Sequence, residues 1–243
     1  SRLWVAVELE DAPRLVIGGE VNDTRMFGPS YRLLTQISVV PGKRSVDIRD
    51  NVTNVGATPA EFELLYHCNY GAPLLGEGSR LVAPVQTVSA RDAVALEGLD
   101  GWDRFQGPEA GFVEQCYFLS LHSDGNHLTS VALVGPEEEL ACRLSFSTDR
   151  LPAFTLWKNT AAEADGYVTG LEPATDYPNA RRFEREQGRL VTLQAGHTYE
   201  AGLRMEFLES SSAVGAAVED IRKLTEGKRR DIRPDIDPAL SPE

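Results

Sequence analysis

Apolar and polar residues alternate with a period of two along most of the chain, which predicts strands with one buried face. The alternation covers residues 3–10, 15–17, 31–40 and 45–49, and again 61–66, 130–134, 142–147, 153–157, 190–193 and 198–207. Turn-forming pairs separate these runs at short intervals: Gly18-Gly19, Gly28-Pro29, Pro41-Gly42, Asp124-Gly125, Asp165-Gly166 and Ala195-Gly196. Short strands in series, without helical patterns between them, predict an all-β sandwich or barrel rather than a βαβ sheet. One stretch breaks the pattern. Val214, Ala217, Val218, Ile221 and Leu224 fall at three- and four-residue steps, predicting a single short amphipathic helix near the C-terminus. Residues 210–212 would cap its start and Gly227 would end it.

The last sixteen residues, 228–243, hold three prolines and eight charged residues and predict a polar tail, mobile or draped over the surface. No composition shift precedes residue 208, so residues 1–227 are expected to form a single β-sandwich domain. Composition adds an ordinary globular chain, 42% hydrophobic and 25% charged, with enough apolar residues for a sizeable core. Thirty-seven acidic against 24 basic residues give a net charge of −13, which argues against a nucleic acid or an anionic membrane surface as partner. No apolar run is long enough to span a bilayer, and the first residues do not read as a secretion signal. Cys68, Cys116 and Cys142 are odd in number, far apart and in apolar contexts, so buried free thiols are expected. These features together predict a cytoplasmic protein. The sequon Asn51-Val-Thr53 carries little weight without a secretion signal.

Glycine-rich phosphate loops, HExxH, GxSxG and clustered His/Cys ligands are all missing from the sequence, so zinc and serine-hydrolase chemistry have no foothold. His122, His127 and His197 flank turns and read as solvated turn residues. His67 differs. It lies two residues before Asn69 at the end of an apolar run, and alternation places both on one strand face. On spacing alone a satisfied core histidine stays the better reading. Glu172 sits among Gly170, Leu171 and Pro173, where a buried carboxylate would need a partner or a ligand and an exposed one would be an ordinary strand end.

Two segments taken together add a resemblance. The run Asp50-Asn-Val-Thr-Asn-Val-Gly56 followed by Tyr66-His-Cys-Asn-Tyr-Gly71 resembles the aldose 1-epimerase (galactose mutarotase-like) superfamily, as does Gly170-Leu-Glu-Pro173 with Tyr177-Pro-Asn179. Met26-Phe-Gly28, Glu114-Gln-Cys-Tyr-Phe118 and Leu151-Pro-Ala-Phe-Thr-Leu-Trp-Lys158 are similar to a poorly characterised bacterial branch of it. The resemblance runs in order through residues 1–208. It implies a β-supersandwich of large twisted antiparallel sheets and an isomerase that interconverts sugar anomers. His67 would be the general acid toward the ring oxygen, and Glu172 the general base toward the anomeric hydroxyl.

Such a reaction needs one proton taken from the C1 hydroxyl and one given to the ring oxygen, and each positioned transfer is worth about 10²–10⁴ in rate. It requires no metal, nucleotide or redox cofactor. By the same resemblance Glu114 would grip sugar hydroxyls. Trp157 and Lys158 would stack on or bind the substrate, and Asn69, Asp176 and Arg181 would be rim contacts. The expected partner is a monosaccharide or sugar acid, with a homodimer left open. Members of the superfamily also carry an earlier segment with a further histidine and an arginine. No histidine precedes His67 here, so the chain is expected either to lack native N-terminal strands or to be a short relative. Two alternatives stand beside the isomerase: a glycoside hydrolase or lyase using Glu172 and Glu114 as a carboxylate pair, and a non-catalytic carbohydrate-binding domain.

Overall fold

Alternation becomes strand almost everywhere it was expected. The computed structural model describes residues 2–9 and 12–242, so the predicted strand end at Glu10 lies outside the described residues. In chain order the strands are β1 (Arg2–Glu8), β2 (Arg14–Thr24), β3 (Ser30–Val39), β4 (Ser45–Asn54) and β5 (Ala60–Phe62). Then come β6 (Cys68–Tyr70), β7 (Arg80–Val82), β8 (Val85–Ala90), β9 (Gln115–Leu121), β10 (Leu128–Val134) and β11 (Ala141–Ser147). The series closes with β12 (Ala153–Asn159), β13 (Val168–Ala174), β14 (Val191–Leu193), β15 (Thr198–Leu208) and β16 (Asp231–Ile232). Three helices are interspersed among the described residues: α1 (Ala93–Glu97), α2 (Arg181–Glu186) and α3 (Ser211–Lys223). None is long and apolar enough to cross a membrane.

Contacts divide the chain into two compact units, residues 1–63 with 190–206, and residues 64–189 with 207–243. In the first, β1, β2, β3 and β4 form an antiparallel meander and β15 pairs antiparallel with β4. One row of directly opposed side chains runs Val5, Ile17, Ile37, Ile48, Leu203 across these strands. Its exposure falls from 66% at Val5 to 4% at Leu203, so the core of this unit lies under β4 and β15. The Asn-rich turn after β4 is a structural device. Buried Asn54 donates from Nδ2 to Thr58 O and Leu193 O, while its Oδ1 accepts from Gly56 N. Phe62 of β5 packs edge-on against Tyr199 of β15, and β5 pairs antiparallel with β14.

The second unit carries two layers. The larger is a six-stranded sheet in the order β16-β8-β9-β12-β13-β6, antiparallel except for the parallel β16–β8 pair. The other is β7-β10-β11. Phe146 of β11 stacks on Phe154 of β12 at 6.1 Å, so the Phe154–Leu156–Lys158 side of β12 faces the layer carrying β11. Alternation then turns Thr155 and Trp157 to the opposite face. Helix α3 forms as predicted. Ser210 caps it by accepting from Ala213 N, and Val214, Val218 and Ile221 pack on Ala132, Val134 and Ala141. Burying such a stripe stabilises by about 1.5–3 kcal/mol for each large aliphatic side chain.

Several expectations are corrected. The strand predicted over 61–66 stops at Phe62, and Leu65 makes only an isolated bridge to Ala174. Strand β13 was hidden by Gly170 and Pro173, which normally mark strand ends. The proline is tolerated because β6 pairs only as far as Leu171, and Pro173 still accepts a hydrogen bond from Tyr66 N. Helices α1 and α2 are too short to show a helical period, so the expectation of one helix fails. The tail lies along its neighbours in the second unit: Arg233 N donates to Val88 O, Asn179 Nδ2 donates to Leu240 O, and Leu240 packs against Phe118, Ala153 and Tyr177.

Candidate active site

Cross-strand register decides which side chains share the outer face of the six-stranded sheet. Trp157 lies directly opposite Gly170 and Cys116, Gly170 is opposite Asn69, and Thr155 is opposite Glu172 and Phe118. Directly opposed residues project to the same side, so Asn69, Gly170, Glu172, Thr155, Trp157 and Cys116 line one surface. His67 immediately precedes β6. Its Nε2 lies 3.1 Å from Glu172 Oε1, with the imidazole about half exposed and the carboxylate 4% exposed. Oε1 is buried and has no aligned hydrogen-bond donor. Burial lifts the Glu172 carboxyl from 4.5 to about 7; nearby His67 opposes the rise and Glu114 adds to it.

Gly170 makes this pairing physically possible. A Cβ there would sit 2.4 Å from Glu172 Oε1 and 3.3 Å from His67 Cε1. Any side chain at 170 would therefore drive the carboxylate away from the imidazole. Glycine inside a strand commonly marks a close approach of this kind.

Trp157 extends the cluster. Its indole meets the His67 ring edge-to-face at 5.4 Å, and its Nε1 donates to Glu114 Oε2 at 2.7 Å. The other oxygen, Oε1, accepts from Arg91 Nη2 at 3.2 Å. Arg91 also donates from Nε to Asp92 Oδ2 and from Nη1 to the Cys116 sulfur. Among the described residues no group of three or more His, Cys, Asp or Glu is arranged to hold a metal ion.

A protein-family model described as a domain of unknown function (DUF4432) matches residues 2–207. The chain belongs to that family. This DUF4432 protein is similar to a candidate aldose 1-epimerase of known structure from Klebsiella pneumoniae, with 32% identity and a TM-score of 0.92. The match covers 95% of this chain and 60% of the Klebsiella one, so the DUF4432 chain spans about three-fifths of that protein's length. A galactose mutarotase-like protein from Clostridium acetobutylicum matches at 12% identity and a TM-score of 0.57, over 86% of this chain and 67% of its own. A candidate aldose 1-epimerase from Escherichia coli K12 does so at 16% and 0.58, over 86% and 69%. These two show the fold alone: an all-β, galactose mutarotase-like sandwich. A search of curated proteins finds no match.

Of the residues singled out in the DUF4432 sequence, the structure brings His67, Glu172, Asn69, Trp157 and Glu114 to one neighbourhood. Lys158 is not among them. It points to the opposite face, 2% exposed, and its ammonium donates to Gly101 O and Arg104 O. Burial lowers its pKa to about 8, and its role is to tie the 101–104 loop to β12. Asp176 is buried, with Thr175 Oγ1 donating to its Oδ1, and so cannot serve as an exposed rim contact. Arg181 is exposed in the first turn of α2. The thiols of Cys68 and Cys116 are pushed up to about 12 by burial and stay protonated at neutral pH. His127 and His197 are exposed turn residues, whereas His122 Nε2 lies 3.3 Å from Arg229 O in the tail. Sequence reasoning missed Gly170 as a required gap and Arg91 altogether. A glycine two residues before a candidate base was a readable signal; no local pattern marks Arg91.

Proposed function

We propose that this chain carries the acid–base centre of an aldose 1-epimerase-type isomerase acting on the anomeric carbon of a free sugar. The contact between His67 Nε2 and Glu172 Oε1 carries the reading. The hydroxyl and ring oxygens of a cyclic sugar are both bonded to the anomeric carbon. Two titratable groups already in contact can therefore address both at once. Glu172, lifted to about 7, is half ionised near neutral pH, where a general base is most effective. It removes the C1 hydroxyl proton while protonated His67 delivers one to the ring oxygen. The C1–O bond of the ring breaks, C1–C2 rotates, and the ring recloses with the two groups in exchanged roles. The Trp157 indole, half-buried beside His67, offers an apolar surface for a sugar face.

A hydrolase built on Glu172 and Glu114 fits less well. Glu114 is engaged by the Trp157 indole on one oxygen and the Arg91 guanidinium on the other, which suits an anchored anion rather than a proton donor. The deciding experiment is magnetisation-exchange NMR between the α and β anomers of a panel of free aldoses and sugar acids. Acceleration by the wild type should be lost in His67→Asn and in Glu172→Gln. Exchange at wild-type rate in either variant would remove the assigned roles, and binding without acceleration would leave a carbohydrate-binding domain.

A further inference from the structure

Arg91 takes no part in the acid–base chemistry, yet its side chain is committed to three neighbours, Asp92, Cys116 and Glu114. It follows β8, and its backbone N–H donates to Cys116 O, the residue opposite Trp157. Its guanidinium holds Asp92 Oδ2 at 2.8 Å, the Cys116 sulfur at 2.9 Å and Glu114 Oε1 at 3.2 Å. Asp92 is itself fixed, since its Oδ1 caps α1 by accepting from Ala95 N. The arginine is thus anchored to the frame on one side and grips a glutamate that is 46% exposed on the other. A planar, rigid fork imposes direction as well as charge.

The gripped carboxylate passes that direction on. Glu114 Oε2 accepts from the Trp157 indole, and the indole edge-to-face contact borders the His67 ring. His67 is half exposed and lies just before β6, with Glu172 and Trp157 against its ring. We propose that Arg91 is a positioning residue for His67, acting through Glu114 and the Trp157 indole to keep Nε2 turned toward Glu172. Its consequence for turnover rests on the acid–base reading above; its consequence for geometry does not.

The test therefore has a readout that needs no turnover. The indole N–H resonance of Trp157, assigned with Trp157→Phe, and the imidazole titration of His67, assigned with His67→Asn, are followed by NMR. They are compared in wild type, Arg91→Met and Arg91→Lys. Arg91→Met should move the indole resonance, speed its exchange with water and shift the His67 titration, while the circular dichroism spectrum stays unchanged. Arg91→Lys keeps the charge but not the fork and should behave like Arg91→Met. In anomer exchange both variants should lose about 10–100-fold in kcat, the scale of a small misplacement of a reacting group. Unmoved Trp157 and His67 signals in Arg91→Met, or full restoration by Arg91→Lys, would overturn the proposal. An inactive wild type with the expected spectral changes would instead refute the epimerase reading and leave the positioning role standing.

Discussion

Replacing Glu172 by glutamine should stabilise the protein, and the gain should depend on pH. The carboxylate is 4% exposed, and its pKa stands at about 7 in the fold against an ordinary 4.5. At about 1.36 kcal/mol per pKa unit, that difference is worth about 3 kcal/mol. For a carboxyl whose folded pKa is raised, the associated stability is fully present below 4.5 and is lost as pH rises through 7. Glutamine does not titrate, so the variant escapes the loss. The stability difference between Glu172→Gln and wild type should therefore grow in favour of the variant by about 3 kcal/mol between pH 4.5 and 8. Urea unfolding followed by tryptophan fluorescence reads it. A Trp4→Phe background confines the signal to Trp102 and Trp157, both within the second compact unit. In thermal melts the same change would appear as roughly 2–4 °C for each kcal/mol. A difference that stays flat across this range, or that grows in favour of wild type, would refute the claim that burial disfavours the charged carboxylate.

Gly170→Ala should push the carboxylate off His67 and lower anomer exchange by about 100-fold, at about 1–3 kcal/mol of overpacking cost; exchange rate and urea midpoint check both parts. Arg189→Met should destabilise by about 3–5 kcal/mol, because it strips the ion pair from fully buried Glu184, and adding Glu184→Gln should recover much of the loss. Ile221→Ala in α3 should cost about 2–4 kcal/mol in the same unfolding assay. Deleting residues 228–242 should cost about 2–4 kcal/mol, since the half-buried Leu240 and several backbone hydrogen bonds go with them.

The all-β class, most strands and helix α3 were legible in the sequence because their information is periodic and local. Val214, Val218 and Ile221 announce a buried stripe without reference to any other element. What stayed hidden is information carried by partners. The interior strand β13 could not be read through Gly170 and Pro173 until its neighbours were known, because their meaning depends on where β6 stops. The tail looked unburiable by composition, yet Leu240 finds Phe118 and Tyr177 across more than sixty residues of chain. His67 and Glu172 were named through motif resemblance; spacing alone could not bring residues 67 and 172 into contact. Trp157 and Lys158 were paired as neighbours in sequence, although strand alternation sends them to opposite sides.

That opposition ties the chemistry to the fidelity of folding. Strand β12 is flanked on both sides, by β9 and β13, with seven residues in register with β13. Sliding it by a single residue would exchange its two faces. An ammonium would then lie where the indole borders His67, and an indole would be forced into the space that two carbonyl oxygens now close around Lys158. The displaced chain would keep its composition and much of its strand content, and its far-ultraviolet spectrum would barely report the error. On the proposed epimerase reading, anomer exchange is thus a more sensitive witness of correct strand pairing here than secondary structure content. The buried lysine marks the native alignment, because only there do Gly101 O and Arg104 O close around its ammonium.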